Sequence, residues 1–392
     1  MSKITKYALS DLYDMSSGLS SKKEQAGHGA PFVSFGTVFN NYFLPEELPD
    51  LMDTNEKEQQ TYSIKAGDVL ITRTSETIDE LAMSCVAVKD YPKATYSGFT
   101  KRLRPKREGI AYPKYMAFYF RSALFRKAVT YNAFMTLRAS FNEDIFTFLD
   151  VYLPDYDEQV RIGDMLYNIE CKIRKNKEIN DYLCAQLQIL FSYLFNISVM
   201  PESWTQGVLA DIANITMGQS PSGESFNTQG NGYPFYQGST DFGTIFPAKR
   251  MYTDKPSRYA AVFDTLLSVR APVGSLNIAY ENCCIGRGLA SIHGKYDNNI
   301  FVRYLLKNNK WYFDNINNNG TTFGSITKDY LFEMPVVIPD GKSIAMFEQK
   351  SSLIERQIYE NEQQTRKLQN LRDWLLPMLM NGQATIEDLY DK

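Results

Sequence analysis

The chain has 392 residues, of which 44% are hydrophobic, and a formal net charge of −3, which fits roughly two to four domains with apolar cores. It has no unbroken apolar run of about 18 residues, so we expect no membrane span and no membrane partner. The five cysteines form no CxxC pair or other metal-ligand spacing, and the N-terminus MSKITKYALSDLYD lacks an apolar signal segment. These features predict a cytoplasmic protein without a metal site.

The sequence contains an internal repeat, most regular at an offset of 185 positions. The pairs at that offset are Asp144/Asp329, Val151/Val336, Pro154/Pro339, Ile169/Ile354, Glu170/Glu355, Ile173/Ile358, Asn176/Asn361 and Leu183/Leu368. Nearer the start of each copy the offset changes, with Leu9 matching Leu209 and Gly18 matching Gly218. The chain therefore holds two copies of one unit, a globular head followed by a long helix. The two long helices match without gaps, whereas the two heads differ in length. We therefore expect the heads to recognise two different targets.

The repeat predicts four segments in chain order. They are a first head at 1–155, a first spacer helix at 156–200, a second head at 201–340, and a second spacer helix with a C-terminal tail at 341–392. Both heads should be mixed α/β, which makes the fold class α+β. The predicted strands are 67–73, 84–89, 99–105, 265–270, 276–280 and 334–339, and the predicted helices of the heads are 112–129 and 298–316.

Both long segments carry a heptad seam, with residues spaced alternately by four and three. The first seam runs through Ile162, Leu166, Ile169, Ile173, Asn176, Asn180, Leu183, Leu187, Leu190 and Leu194. The second, more polar seam runs through Phe347, Ser351, Ile354, Ile358, Asn361, Thr365, Leu368, Arg372, Leu375 and Leu379. The apolar seam of either helix would be exposed to solvent if the helix had no partner, so we expect the two helices to form an antiparallel intramolecular coiled coil. Asn176 and Asn361 should face each other near its centre and fix the register.

The charge is balanced within each head, with 19 basic and 19 acidic residues in 1–155 and 11 of each in 203–340. Any nucleic-acid surface must then be a local patch. One candidate is the run KRLRPKR, whose cations are suited to phosphate contact: Lys101, Arg102, Arg104, Lys106 and Arg107. A strand edge protected by exposed charge explains the same run equally well.

Side chains suited to reading bases occur at predicted strand ends and in loops. Arginine can bond guanine bidentately, and asparagine or glutamine can do so with adenine. The candidates are Arg73, Arg138, Gln219, Gln237, Arg270, Arg287 and, in a predicted loop at 315–325, Asn317, Asn318, Asn319, Thr321 and Thr322. For each single arginine, a salt bridge or a phosphate contact is the simpler explanation.

Support for catalysis is weak. The only histidines are His28 and His293, and neither has a counterpart in the other copy. Two stretches resemble the PD…ExK pattern of metal-dependent nucleases: Pro154-Asp155 is followed by Glu170-x-Lys172, and Pro339-Asp340 is followed by Glu348-x-Lys350. The two triplets do not align at the repeat offset, and both lie in the heptad helices. We therefore expect no catalytic residue and no cofactor.

The second head and its tail resemble the specificity (S) subunits of Type I restriction–modification systems. The resemblance lies in YPFYQGSTDFG (233–243), DTLLSVRAPVGSLNIA (264–279), CCIGRGLASI (283–292), GTTFGSITKDYLFEMPVVIP (320–339) and LRDWLLPMLMNGQ (371–383). The first head is similar through GDVLITR and the run at 153–173. One departure is that Glu158-Gln159, typical of the family after the proline, is Ser343-Ile344 in the second copy.

This resemblance implies two target-recognition domains, each reading one half of a bipartite, asymmetric site in double-stranded DNA. It implies a coiled-coil spacer that docks two DNA methyltransferase subunits, joined by an ATP-dependent restriction subunit. It also implies a subunit without its own catalytic centre. Two alternatives remain open at this stage, a PD…ExK-like nuclease and a coiled-coil scaffold whose heads bind proteins.

Overall fold

The computed structural model describes residues 4–77, 80–132, 139–318 and 325–384. The chain divides into two compact units, one formed by Met1–Lys175 with Gln364–Lys392 and the other by Asn176–Gln363. Each long helix is thus shared between units, with one part in each. The four segment boundaries expected from the repeat stay predictions, because the units cut across the helices.

The first unit contains the first head, which is built on two main sheets. One has the strand order β2-β9-β5-β7, and the other has the order β4-β3-β8. The strands are β1 (Thr5–Ala8), β2 (Tyr13–Ser17), β3 (Ala26–Val33), β4 (Asp50–Met52), β5 (Val69–Thr72), β6 (Thr74–Ser75), β7 (Ser84–Val86), β8 (Thr95–Tyr96), β9 (Thr100–Pro105), β10 (Ala139–Ser140) and β11 (Asp150–Leu153). The helices are α1 (Leu9–Leu12), α2 (Phe35–Asn40), α3 (Glu56–Thr61), α4 (Pro113–Tyr119), α5 (Ala123–Asn132), α6 (Glu143–Phe148) and α7 (Tyr156–Leu194).

The second unit contains the second head, which repeats this plan. Its sheets have the orders β13-β21-β18-β19 and β14-β16-β15-β20-β17. The strands are β12 (Thr205–Val208), β13 (Ala213–Met217), β14 (Phe226–Asn227), β15 (Tyr233–Tyr236), β16 (Met251–Thr253), β17 (Tyr259–Ala260), β18 (Thr265–Ser268), β19 (Leu276–Ile278), β20 (Cys283–Ile285), β21 (Leu289–Gly294) and β22 (Pro335–Ile338). The helices are α8 (Leu209–Ile212), α9 (Asn299–Asn308), α10 (Lys310–Asn318), α11 (Lys328–Phe332) and α12 (Gly341–Met380).

The predicted strands of the heads are present with shorter bounds, and the predicted helices extend two or three residues further, to Asn132 and Asn318. The strand β5 is buried along its whole length, as a central apolar run predicts. Each predicted head helix is divided in two, as α4 and α5 in the first head and as α9 and α10 in the second. The predicted loop at 315–325 is partly wrong, because α10 continues through Asn318.

The long helices begin where an aspartate follows a proline. The Asp155 carboxylate accepts from the backbone N–H of Glu158 at 2.9 Å, and Asp340 accepts from the N–H of Ser343 at 3.0 Å. Such caps satisfy N–H groups that have no partner within the helix. The departure at Ser343-Ile344 has a structural consequence, because buried Gln159 bonds three backbone groups whereas Ile344 packs into an apolar core.

Within the second unit, α7 and α12 run antiparallel along their predicted seams. The Asn176 side chain donates to the carbonyl of Asn361 at 3.3 Å, and the Asn180 side chain donates to that of Ile358 at 3.1 Å. The residue numbers of the contacts rise along α7 and fall along α12, as they must in an antiparallel pair. The seam residue Leu187 is 1% exposed and lies in the core of the second head. The helix therefore stabilises the head it packs against.

One stretch, Tyr156–Val199, is long and apolar enough to cross a membrane by length and composition, with a mean hydropathy of 1.3 over its most apolar window. We expected no membrane span because the sequence has no unbroken apolar run. This window meets a criterion of mean hydropathy instead, although polar residues interrupt it. Phe191 and Phe195 in this stretch make edge-to-face contacts with Phe347 of α12 and lie in the apolar core. These contacts bury one side of the stretch, whereas only 17% of its most apolar window is buried.

Candidate nucleic-acid interface

In the second head, three segments converge where β13, β15 and β20 end. The backbone N–H of Gln219 donates to the carbonyl of Ile285 at 3.0 Å, and that of Gly288 donates to the carbonyl of Gln237 at 3.1 Å. These bonds place the exposed residues Gln219, Gln237 and Arg287 on one surface. We call it the second strand-end surface.

Glycines allow the three segments to approach this closely. A Cβ added at Gly218 would lie 2.2 Å from the carbonyl oxygen of Gly286, and one at Gly288 would lie 2.5 Å from that of Gln237. Larger residues would push the segments apart. The sequence GRG, too short for a dinucleotide-binding fingerprint, therefore serves close backbone packing beside Arg287.

Arg270 extends this surface from the end of β18. The backbone N–H of Val269 donates to the carbonyl of Gly288 at 2.9 Å, which brings the next residue, Arg270, beside the glycine-rich segment. Arg270 also forms a backbone bridge with Ser325. Within the described ranges, the guanidinium groups of Arg270 and Arg287 are exposed and make no hydrogen bond or ion pair. Both are therefore available to an external acceptor.

The first head presents a different surface at its equivalent strand ends. Exposed Arg73 follows β5, and its backbone N–H donates to the carbonyl of Phe99 at 2.8 Å. The Phe99 side chain is 65% exposed, and Lys101 on β9 donates its ammonium to the Ser17 hydroxyl at 2.9 Å. We call Arg73, Phe99 and Lys101 the first strand-end surface.

Two cations are close together on this surface. Partial burial lowers the pKa of Lys101, and the positive charge of Arg73 lowers it further. An anion placed between the two side chains would relieve their repulsion, because opposite charges attract most strongly where water is partly excluded. A phosphate, together with a base stacked on Phe99, has chemistry that suits this surface.

Two of the five predicted phosphate-binding cations point into the first head, which revises their role. Arg104 makes a two-bond ion pair with Asp68, at 2.8 Å and 2.6 Å, and the Asp68 side chain is only 1% exposed. Arg102 is 9% exposed, donates to the carbonyl of Ser63 and lies over the ring of Tyr96. Arg102 and Arg104 lie on the same face of β9, because residues two apart on a strand share a face, and on that face Asp68, Ser63 and Tyr96 supply their partners.

The remaining predicted cations lie beyond β9. Lys106 is exposed, but its ammonium donates to the carbonyl of Ser10 at 2.8 Å and lies 3.5 Å from the Asp14 carboxylate. Arg107 is exposed and has no side-chain partner among the described residues. Among the predicted base-reading residues, Arg138, Asn319, Thr321 and Thr322 lie outside the described residues, whereas Asn317 and Asn318 lie in α10.

Some residues of these surfaces were not singled out from the sequence. Ser220 bridges Gln237 and Arg287, since its hydroxyl donates to the Gln237 amide oxygen at 3.1 Å and lies 3.5 Å from the backbone nitrogen of Arg287. Arg258 is exposed, and its carbonyl accepts from Ile285 at 3.0 Å beside Gln219. Serine in a turn-rich loop carries no distinctive signal, so only the pairing of the strands could identify Ser220.

The two surfaces are equivalent in backbone structure. The bonds Gly18 N to Thr100 O, Leu19 N to Tyr96 O, Ser97 N to Val33 O, Arg73 N to Phe99 O and Phe141 N to Arg73 O recur in the second head. Their counterparts are Gly218 N to Leu289 O, Gln219 N to Ile285 O, Gly286 N to Tyr236 O, Val269 N to Gly288 O and Ile326 N to Val269 O. The side chains differ, so that Arg73 corresponds to buried Val269 and Gly98 to exposed Arg287.

The carboxylates of the nuclease-like pattern have structural partners. Glu170 forms an ion pair with Arg372, and Glu348 accepts from the backbone N–H of Phe301 at 2.7 Å. Asp155 and Asp340 cap the long helices. In the described part of the chain, no group of three or more His, Cys, Asp or Glu side chains could hold a metal ion. The nuclease alternative is not favoured.

A repeated α+β head, an antiparallel helical spacer and two different polar strand-end surfaces define a class of two-headed recognition proteins. The chain belongs to the family described as the Type I restriction modification DNA specificity domain, whose model matches residues 1–183 and 201–360. It is therefore the non-catalytic DNA-recognition component of a Type I restriction–modification system.

The relatives agree with this membership. The chain is 27% identical over 391 residues to a Methanocaldococcus jannaschii protein named as the specificity subunit of the type I restriction enzyme MjaX, covering 94% of this chain and 91% of that protein. It is 22% identical to the HindI specificity subunit of Haemophilus influenzae, over 47% of this chain and 42% of that one. The crystal structure of an S subunit from M. genitalium has the same fold, with a TM-score of 0.61 at 13% identity and 96% coverage of both chains.

Proposed function

We propose that the two heads read two different half-sites of a bipartite, asymmetric DNA sequence through their strand-end surfaces. The observation that carries this proposal is the equivalence of five backbone hydrogen bonds in surfaces whose side chains differ. A shared backbone would present each surface to DNA in the same way. Different side chains, such as Arg73 in one head and Arg287 in the other, would then select different bases.

The division of labour differs between the heads. In the first head, Lys101, Lys106 and Arg107 would hold phosphates, and Arg73 would contact a base. In the second, Arg270, Arg287, Gln219, Gln237, Asn317 and Asn318 would read bases. For Arg138, Asn319, Thr321 and Thr322 the same role stays a prediction from the sequence.

The long helices would separate the two heads and provide docking sites for two methyltransferase subunits, one for each repeat. Asn176 and Asn361 would set the register of that spacer, because a buried polar contact disfavours shifted pairings. A restriction subunit would join this core. The complex would act in the cytoplasm, where the cysteines stay reduced.

The test is to map the methylated sequence of the complex reconstituted with its methyltransferase subunits. Arg73→Ala should relax one base position in one half-site, and Arg270→Ala should relax a position in the other half-site. Each should cost about 1–3 kcal/mol on the cognate sequence. An unchanged motif for both variants, with normal assembly, would refute the assignment of these surfaces.

A further inference from the structure

The side-chain amide of Gln237 has a defined orientation on the second strand-end surface. Its Oε1 accepts a hydrogen bond from the Ser220 hydroxyl at 3.1 Å. The same oxygen lies over Gly286, where an added Cβ would come within 2.7 Å of it. The amide oxygen is therefore turned toward the protein. The Nε2 group has no acceptor in the part of the chain that the structure describes.

The neighbours of Gln237 are also donors. Arg287 and Arg270 carry guanidinium groups, each with five N–H donors and no acceptor. The carboxylate closest in the chain, Asp241, is already engaged, because its Oδ2 accepts from the backbone N–H of Gln237 at 2.8 Å. Apart from the Gln219 amide, which carries both a donor and an acceptor, the side chains of the second strand-end surface thus present hydrogen-bond donors.

The donor pattern discriminates between bases. In the major groove, guanine presents two acceptors, N7 and O6, whereas adenine presents the acceptor N7 beside the donor N6. A glutamine that reads adenine needs its oxygen and its nitrogen together. In this head Ser220 and Gly286 hold the oxygen of Gln237 away from that role.

We propose that the second head reads guanine in its half-site, through the guanidinium of Arg287 with Gln237 Nε2 as an additional donor. Ser220 acts as a positioning residue that keeps the amide oxygen of Gln237 turned inward. This inference rests on the proposed function, because it requires that the second strand-end surface faces the bases. It adds which base is recognised and which residue orients the side-chain amide of Gln237.

The test uses the complete chain assembled with its methyltransferase subunits and a library of randomised duplexes. The variants are Arg287→Ala, Gln237→Ala and Ser220→Ala. The matched control is Gln206→Ala, an exposed glutamine on β12. We expect a guanine in one half-site whose selection falls about tenfold in Arg287→Ala and less in Gln237→Ala. The control should keep the wild-type motif.

Ser220→Ala separates positioning from general structural support. Releasing Oε1 allows Gln237 to accept from N6, so the variant should shift selection at one position from guanine toward adenine. A loss confined to folding or assembly would leave base preference unchanged. Duplexes with 7-deazaguanine supply the chemical counterpart, since they lack N7. They should weaken binding of the wild type and cause little further loss in Arg287→Ala.

The outcomes distinguish the two levels of inference. If Arg287→Ala relaxes an adenine, guanine reading is overturned while the proposed function stands. If Ser220→Ala keeps the wild-type preference, the positioning role of Ser220 is overturned. If all three variants keep the wild-type motif, the assignment of this surface to DNA fails as well. A guanine that relaxes in Arg287→Ala, together with the shift in Ser220→Ala, supports the proposal.

Discussion

The side chain of Asn361 donates to the amide oxygen of Asn180 at 2.8 Å, and both residues are buried between the long helices. Asn176 was expected to be the partner of Asn361, and it does contact Asn361, but through the backbone carbonyl. Asn176 and Asn180 lie one turn apart on α7. Both donate to backbone carbonyls of α12, and Asn361 donates back to Asn180, so the three asparagines form one network between the helices. Their role in fixing the register stays a prediction.

Replacing Asn361 by alanine should destabilise the protein, because the amide oxygen of Asn180 would lose its donor while staying buried. We expect a loss of about 1–3 kcal/mol, measured by chemical denaturation. Lys177→Ala, at an exposed position of α7 next to Asn176, is the control and should have little effect. The double variant Asn180→Leu/Asn361→Leu should recover stability but permit shifted pairing, which cysteine crosslinking across the helices would detect. Equal stability of Asn361→Ala and wild type would contradict the network.

Arg104→Ala and Arg73→Ala should have opposite effects on stability and on DNA selection. The first variant leaves the Asp68 carboxylate buried without its charged partner, so the free energy of unfolding should fall by about 3 kcal/mol. The second removes an exposed side chain and should leave the unfolding transition unchanged while it relaxes one base position. Thermal denaturation and methylation mapping of both variants provide the comparison. Unaltered stability of Arg104→Ala would show that its ion pair with Asp68 does not stabilise the first head.

Arg107→Ala should weaken binding to all sequences rather than change the preferred one. An exposed cation that contacts a phosphate releases a counterion, so its loss should reduce the slope of log K against log salt by about one unit. Lys89→Ala is the matched control, since its ammonium is already paired with Glu46 at 3.0 Å. Titrations of a cognate duplex at several salt concentrations measure the slope. Equal slopes for the two variants would place Arg107 away from the DNA backbone.

Glu348 should make stability depend on pH. Burial raises the pKa of its carboxyl from 4.5 to about 7, although the N–H of Phe301 opposes this shift. Below about pH 4.5 the carboxyl is protonated in folded and unfolded chains, so it carries no penalty. As the pH rises toward 7, the unfolded chain ionises first, and the folded state loses stability. Glu348→Gln should therefore gain stability relative to wild type between about pH 5 and pH 7.5.

The measurement is the melting temperature of both proteins across that pH range. Glu360→Gln, at an exposed position of α12, is the control and should follow the wild type. A constant difference between Glu348→Gln and wild type at all pH values would show that the carboxyl does not titrate as proposed.

The sequence by itself determined the repeat, the two mixed heads and the antiparallel helical spacer. These features follow from local hydrophobic periodicity and from matches between the two repeats, such as Asn176 with Asn361. Both can be read directly from the order of residues. The exposed positions of Arg73, Arg270 and Arg287 were also predictable, because each follows an apolar strand.

Only the tertiary structure decided which polar side chains are available. The sequence does not distinguish Arg102 and Arg104 from Lys101 and Arg107, because all four are cations of the same run. In the structure Arg102 lies over the ring of Tyr96, and Arg104 forms an ion pair with Asp68. The orientation of Gln237 depends on Ser220 and Gly286, which are distant in the chain. Hydrogen-bond partners brought together by strand pairing leave no periodic signal, so the sequence could predict where recognition occurs but not which atoms face outward.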